Sequence, residues 1–222
     1  MIFLTFDTAL NKTYISLFQD EKELASITVE STQDKYHSAY LIQNIADLLK
    51  DKNLKMQDIN VTGVNIGPGS FTGIRACLTI ARVIAQQLNL PLVGVSSLEI
   101  LSKINDTDLP VITVMDARKG MCYYAEFDKD GNCLQEPHLE VVENLKLNPK
   151  THKIITDKYM SEILNGQNTK NTCYTDKDYN LARYLGQLTV KKFDKNKDFN
   201  WAKVKPLYLQ SPSITVSKKS LL

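Results

Sequence analysis

FLTFDTALNKTYISLF, Phe3 to Phe18, and ITVMDARKGMCYYAEF, Ile112 to Phe127, superpose without a gap when the chain is slid against itself. Asp7 then falls over Asp116, Tyr14 over Tyr123 and Phe18 over Phe127. Each copy is an apolar run rich in β-formers that ends in Asp, then a turn, then a second β-rich run. Solenoid repeats recur every 20 to 50 residues or so, far closer than these two copies. The spacing predicts a duplicated, two-lobed fold.

Working outward from the first copy, Leu24 to Val29 reads as a third strand after Ile2 to Asp7 and Thr13 to Phe18, making an antiparallel meander. A helix is predicted from Ser38 to Lys50, with Leu41, Ile42, Ile45, Leu48 and Leu49 on one side. A strand, Ile59 to Ile66, runs into the glycine-rich turn Gly67 to Gly73, and a second helix extends from Ser70 to Leu88. Pro91 to Val95 is a buried-type strand, and Ser96 with Glu99 forms a capping box that starts a third helix. Three strands, helix, strand, helix, strand is the order of an RNase H-like lobe. The chain therefore divides into an N-terminal lobe, 1–105, and a C-terminal lobe, 106–222, both α/β with mixed sheets flanked by helices. Past Asp128 the signal weakens to a strand at Lys153 to Thr156, a helix at Asn180 to Phe193 with Leu181, Leu185 and Leu188 inward, and a charged loop from Asp194 to Asn200.

Composition excludes several classes. Of the 222 residues, 43% are hydrophobic and 23% charged, which supplies a packed core and excludes disorder. Twenty-seven basic against 25 acidic residues leave a net charge of +2, so there is no electrostatic footprint for tight nucleic-acid binding by this chain alone. No apolar stretch approaches the roughly 20 residues that cross a bilayer. MIFLTFDT has an acid at Asp7 and neither the basic start nor the apolar run of a signal peptide. Cys77, Cys122, Cys133 and Cys173 form no CxxC pair and are expected as reduced thiols. A soluble, cytoplasmic protein without membrane contact is expected.

The sharpest motif is GPGSFTGIR, Gly67 to Arg75. Gly67 and Gly69 permit backbone conformations closed to other residues, Pro68 stiffens the turn, and Ser70 or Thr72 can cap the helix behind it. Free N–H groups there would attract a phosphate; the alternative is a tight structural turn. The loop lacks the GK[ST] ending of a Walker motif and fits a dinucleotide fingerprint poorly. The meander ahead of the first helix also argues against a nicotinamide-binding oxidoreductase. Asp7 and Asp116 end equivalent strands, where two-lobed phosphotransferases hold a metal–nucleotide complex; each could equally close its own hairpin. Thr8 could help cradle a phosphate, whereas Ala117 cannot. His37, His138 and His152 are scattered, with no second ligand at metal spacing. Both N-terminal helices are apolar over more of their circumference than the ~100° stripe that packing on one sheet requires. They are either wedged in their own core or also packed on another protein.

The strand VTGVNIG followed by GPGSFTGIR, the opening FDTALNKTYISLF, His37-Ser38 ahead of the first helix, GVSSLEIL (Gly94 to Leu101), MDARKG (Met115 to Gly120) and PLYLQ (Pro206 to Gln210) together resemble the TsaB (YeaZ) family. The resemblance covers essentially the whole chain and is strongest over the first 120 residues. It implies an ASKHA (actin/Hsp70-like) fold. It implies a non-catalytic scaffold that pairs with TsaD, the subunit that transfers threonylcarbamoyl to the adenosine beside the anticodon of ANN-decoding tRNAs, with the small ATPase TsaE joining them. Pairing is expected through the N-terminal helices, which also mediate a homodimer when the chain is alone, and tRNA is expected to bind only through the assembled complex. No cofactor of its own is implied; ATP or ADP at the junction with TsaD is left open. Where the catalytic relative reads GVNHLEGH, with two metal-binding histidines, this chain has Ser97 and Leu101, and a leucine cannot ligate. Gln210 stands where the family has Arg, so a contact carried by that Arg is in doubt. The expected partner surface is Leu41, Ile42, Ile45, Leu49, Arg75, Leu78 and Arg82, and Glu at Ile45 or Leu49 is expected to block pairing without unfolding. The rival is a stand-alone ATP- or metal-dependent transferase or peptidase-like enzyme of the same fold.

Overall fold

The computed structural model describes residues 1–30, 40–174, 178–195 and 200–210. Two five-stranded mixed sheets share one strand order. The first runs β3-β2-β1-β4-β5, with β1 Ile2–Asp7, β2 Thr13–Gln19, β3 Lys22–Val29, β4 Val61–Gly67 and β5 Leu92–Ser96. The second runs β8-β7-β6-β9-β10, with β6 Val111–Arg118, β7 Met121–Phe127, β8 Cys133–Val141, β9 Lys153–Thr156 and β10 Thr172–Cys173. Position for position the second sheet repeats the first, as the duplicated opening predicts. The helices are α1 Leu41–Asp51, α2 Phe71–Leu88, α3 Ser97–Ser102, α4 Lys158–Gly166 and α5 Leu181–Lys195. Ser38 and Ala39, the predicted start of α1, and His37 lie outside the described residues.

Strand alternation sorts the side chains into three cores. Leu4, Phe6, Ile15 and Leu17 point to one side of the first sheet, where Leu41, Ile45, Leu48 and Leu49 of α1 and Cys77, Leu78, Ala81 and Ala85 of α2 cover them. Phe3, Tyr14 and Phe18 point to the other side, into a core shared with α3, α5 and the inner face of the second sheet through Val111, Met115, Ala125 and Phe127. The outer face of the second sheet packs Ile112, Val114 and Cys122 under Met160 and Leu164 of α4.

The overlay of the two openings needs a correction. Asp7 pairs across the ladder with Tyr14, but Tyr123, the counterpart of Tyr14, pairs with Met115. The ladder shifts between Asp116 and Arg118, so β6 is out of step by one residue with the gapless alignment. A one-residue slip sends a side chain to the opposite face. Met115 is thus the structural counterpart of Asp7, and Asp116 lies on the α4 side of its sheet.

The division at 105/106 separates the sheets but not the helices. α5 packs on the first sheet: a Cβ on Gly186 would sit 2.1 Å from Phe18, and one on Gly63 would sit 2.2 Å from Thr189 Oγ1 of α5. Asn180 Nδ2 donates to Ser26 Oγ (2.8 Å), Arg183 pairs with Glu23, and Lys192 Nζ reaches Glu99 in the α3 cap (2.8 Å). α5 also extends to Lys195, where a charged loop was expected from Asp194. The following stretch 200–210 returns to the N-terminal lobe. Trp201 and Val204 pack against the α1/α2 core, Leu207 N–H donates to Ile66 C=O (2.8 Å), and Arg82 donates to Val204 C=O. Three elements have weak sequence signals and were not expected: β8, which carries Pro137 at a sheet edge, the two-residue β10, and α4. The start signal of α4 is Asp157 ahead of Met160, Ile163 and Leu164; its carboxylate accepts from Met160 N–H (2.9 Å).

Candidate functional site: the interlobe cleft and the outer face of α1 and α2

A cleft of about 910 Å³ lies between the lobes. Ala9 to Asn11, the Pro68–Thr72 turn and Leu207 to Gln210 line one side; Met115 to Arg118, Tyr123, Asp157 to Tyr159 and Tyr174 line the other. Several of the groups expected to grip a phosphate are bonded within the chain. Asp7 is fully buried; one carboxylate oxygen accepts from Ala9 N–H (2.5 Å), so the acid closes its own turn. Burial pushes its carboxyl up to about 6, against the opposing pull of Asn65 and the N–H groups of Ala9 and Leu10. Thr8 Oγ1 donates to Gly73 C=O (2.7 Å), Ser70 N–H donates to Ala9 C=O (2.8 Å), and Gly73 N–H donates to Ser70 Oγ (3.2 Å). The glycines are explained by close approach: a Cβ on Gly73 would lie 1.9 Å from Thr8 O, and one on Gly69 2.5 Å from Ala9 O. Gly67 has φ +100°, open to glycine alone at low cost. Of the residues expected to contact phosphate (Gly67, Gly69, Ser70, Thr72 and Gly73), Gly69, Ser70 and Gly73 form with Thr8 and Ala9 a clasp between the α2 start and the β1–β2 turn, while Thr72 is exposed at the cleft wall. With Met115 opposite, these residues do not fit a metal–nucleotide complex.

Asp116 contacts Asp157, a pairing with no signal in the sequence: Asp116 N–H donates to Asp157 Oδ2 (2.7 Å), and Asp116 Oδ1 accepts from Arg118 N–H (2.8 Å). Burial raises the Asp157 carboxyl, against the opposing pull of the Met160 and Asp116 N–H groups, and the Asp116 charge is a smaller push in the same direction as burial. Ser97 is fully buried, bonded through Oγ to Asn65 (2.9 and 3.1 Å), and Leu101 is fully buried in the shared core. Neither lines the cleft. Among the described residues no group of three His, Cys, Asp or Glu is arranged to hold a metal. Gln210 is at the cleft wall, as are Tyr208 and Phe71, whose rings stack 5.1 Å apart.

The expected partner surface splits. Leu41, Ile45, Leu49 and Leu78 are all 4% exposed or less, in the chain's own core, so they cannot face a partner, and Glu at Ile45 or Leu49 would be buried there. The outward residues are Ile42 at 65% and Val83 at 53%, with Ala46, Arg75 and Thr79 also exposed and Arg82 partly so. The breadth of the apolar stripe was legible; which part of it turns inward depends on how α1 and α2 lie on the sheet.

A family model described as TsaD, tRNA N6-adenosine threonylcarbamoyltransferase, matches residues 26–188. The tRNA threonylcarbamoyladenosine biosynthesis protein TsaB of Escherichia coli K12 is 30% identical over 135 residues, 60% of this chain and 57% of that protein. TsaB of Buchnera aphidicola from Acyrthosiphon pisum is 26% identical over 219 residues, 90% of this chain and 93% of that one. The chain belongs to this family, on its TsaB (YeaZ) branch. The match thus spans little more than half of the E. coli relative but nearly all of the Buchnera one. YeaZ from Pseudomonas aeruginosa superposes with a TM-score of 0.79 at 18% identity, over 94% of this chain and 99% of that one. Component A of Acidaminococcus fermentans (R)-2-hydroxyglutaryl-CoA dehydratase superposes with a TM-score of 0.51 at 8% identity, over 86% and 98%. The TsaB fold here is the expected ASKHA pairing of two RNase H-like lobes. Among the described residues no helix is long and apolar enough to cross a membrane.

Proposed function

We propose that the chain is a non-catalytic scaffold of tRNA threonylcarbamoyladenosine biosynthesis that pairs with TsaD, with TsaE joining the pair. The observation that carries the pairing is the outer face of α1 and α2. These helices cover one side of the first sheet and still hold Ile42 and Val83 in solvent. An exposed apolar face rimmed by polar groups suits a protein interface, for which about 800 Å² per partner is ordinary. The committed phosphate groups and the Leu101 side chain in the metal-ligand position support a supporting rather than a chemical role. A nucleotide, where one takes part, would sit against TsaD, and tRNA would bind the assembled complex. Alone, the chain would form a homodimer through the same face.

Light-scattering chromatography of the chain with the TsaD of its own organism tests this. A one-to-one complex is expected, lost in Ile42→Asp and Val83→Asp while their melting temperatures stay within a few degrees of wild type. Failure of the wild-type chain to shift, or nucleotide hydrolysis by the chain alone, would turn the assignment toward a stand-alone enzyme.

A further inference from the structure

We propose that Arg75 and Arg82 recognise carboxylates on the partner, so that the surface of TsaD seated on α2 presents Asp or Glu side chains about 10 Å apart. This rests on the proposed pairing with TsaD and adds the chemistry of the contact. α2 contains no Asp or Glu. Its two arginines are seven residues apart, which places them on one face and about 10 Å apart along the axis. Four other cations do meet a carboxylate within the chain: Lys12 with Glu30, Lys153 with Asp106, Arg183 with Glu23 and Lys192 with Glu99. Among the described residues neither α2 arginine meets a carboxylate. Arg75 is exposed and lies 5.0 Å over the ring of Phe71. Arg82 donates to the Val204 carbonyl, and its buried Nε has no partner.

The surface between and beside them is apolar. Phe71, Thr72, Arg75, Ala76, Thr79 and Ile80 line a shallow depression of about 430 Å³, and Val83 is exposed one turn on. Arginine beside an aromatic ring and an apolar floor is the composition of an interface hot spot. A protein surface with apolar side chains for the depression and acids at its edge complements this one. RNA phosphates would also attract arginines, but they leave Ala76, Ile80 and Val83 uncovered.

The test is calorimetric titration of the chain with TsaD at about 50 and 300 mM NaCl. Wild type is expected to bind more weakly at the higher salt. Arg75→Gln is expected to raise Kd about ten-fold at low salt, Arg75→Glu further, and Arg75→Lys less than Arg75→Gln, with the differences shrinking at high salt. Arg82→Gln is read alongside the emission of Trp201, the single tryptophan, which reports whether stretch 200–210 stays docked. If Arg75→Gln and Arg75→Glu bind TsaD as wild type does, the inference is wrong while the pairing stands. If Arg75→Gln instead weakens only binding of tRNA, the surface reads RNA and the inference is wrong. If wild type does not bind TsaD, the pairing itself fails and takes the inference with it.

Discussion

Replacing Gly73 by Ala places a methyl group where the β1–β2 turn already runs. The new Cβ would lie 1.9 Å from Thr8 O and 2.8 Å from its carbon, about 1.1 Å inside the 3.0 Å below which real contacts are not found. Both obstacles are backbone, so the α2 start must back away from Thr8. That movement breaks the Thr8 Oγ1 to Gly73 O bond (2.7 Å) and the Ser70 N–H to Ala9 O bond (2.8 Å). Each bond contributes about 1 kcal/mol net, and the overpacking costs about 1–3 kcal/mol. Better helix propensity of alanine returns about 1 kcal/mol. The balance is a loss of about 2–4 kcal/mol, or roughly 5–15 °C in melting temperature for a chain of this length. Gly166 is the control, since nothing lies within 4 Å of a Cβ there and it closes helix α4. Gly166→Ala should be neutral or stabilising by up to about 1 kcal/mol. Differential scanning calorimetry of both variants decides the matter. A Gly73→Ala protein melting within about 2 °C of wild type would refute the clasp and return the glycine loop to a ligand-binding role.

Two further outcomes follow from the same structure. Asp7, pushed up to about 6 by burial, should show its carboxyl ¹³C titration midpoint near that pH rather than near 4. Between about pH 4 and 6 the unfolded chain releases this proton while the folded chain keeps it. Stability therefore falls as pH rises through that window, by an amount on the order of 3 kcal/mol, and the fall is missing in Asp7→Asn; a midpoint near 4 would show the carboxyl to be hydrated. Glu99 accepts from Ser96 N–H (2.8 Å) and pairs with Lys192 of α5 (2.8 Å). Glu99→Ala should cost about 1–2 kcal/mol, mostly through the cap, because the half-exposed ion pair contributes below about 1 kcal/mol. In urea denaturation Lys192→Met should cost little once Glu99 is gone, and equal losses in both backgrounds would show that the pair is uncoupled.

Much of the first lobe was legible because its signals are local. Alternating β1 and β2, the Ser96–Glu99 capping box and the glycine turn depend on residues a few positions apart, and the structure holds each. The second lobe was less so. β8 carries Pro137, β10 has two residues, and the one-residue shift at Ala117 is invisible to a gapless overlay, which is why Asp116 was matched with Asp7. At the candidate site, the excess apolarity of α1 and α2 was readable, but the inward and outward residues were not. Leu41, Ile45 and Leu49 lie beside Ile42 and Ala46 on a helical wheel, and only the angle at which α1 meets the sheet separates them.

The sequence by itself determined the elements of the first lobe, the duplication and the family, since propensity, capping and motif spacing all act over short stretches of chain. Tertiary structure alone decided three things. It put α5 and stretch 200–210 on the first sheet, using holes left by Gly186 and Gly63 that only a facing helix and sheet can define. It joined Thr8 to Gly73 across 65 residues as a packing clasp, while Asp7 closed its own turn on Ala9. It left Ile42, Val83 and Arg75 facing outward, because burial is a property of what a face meets and not of the residues that form it.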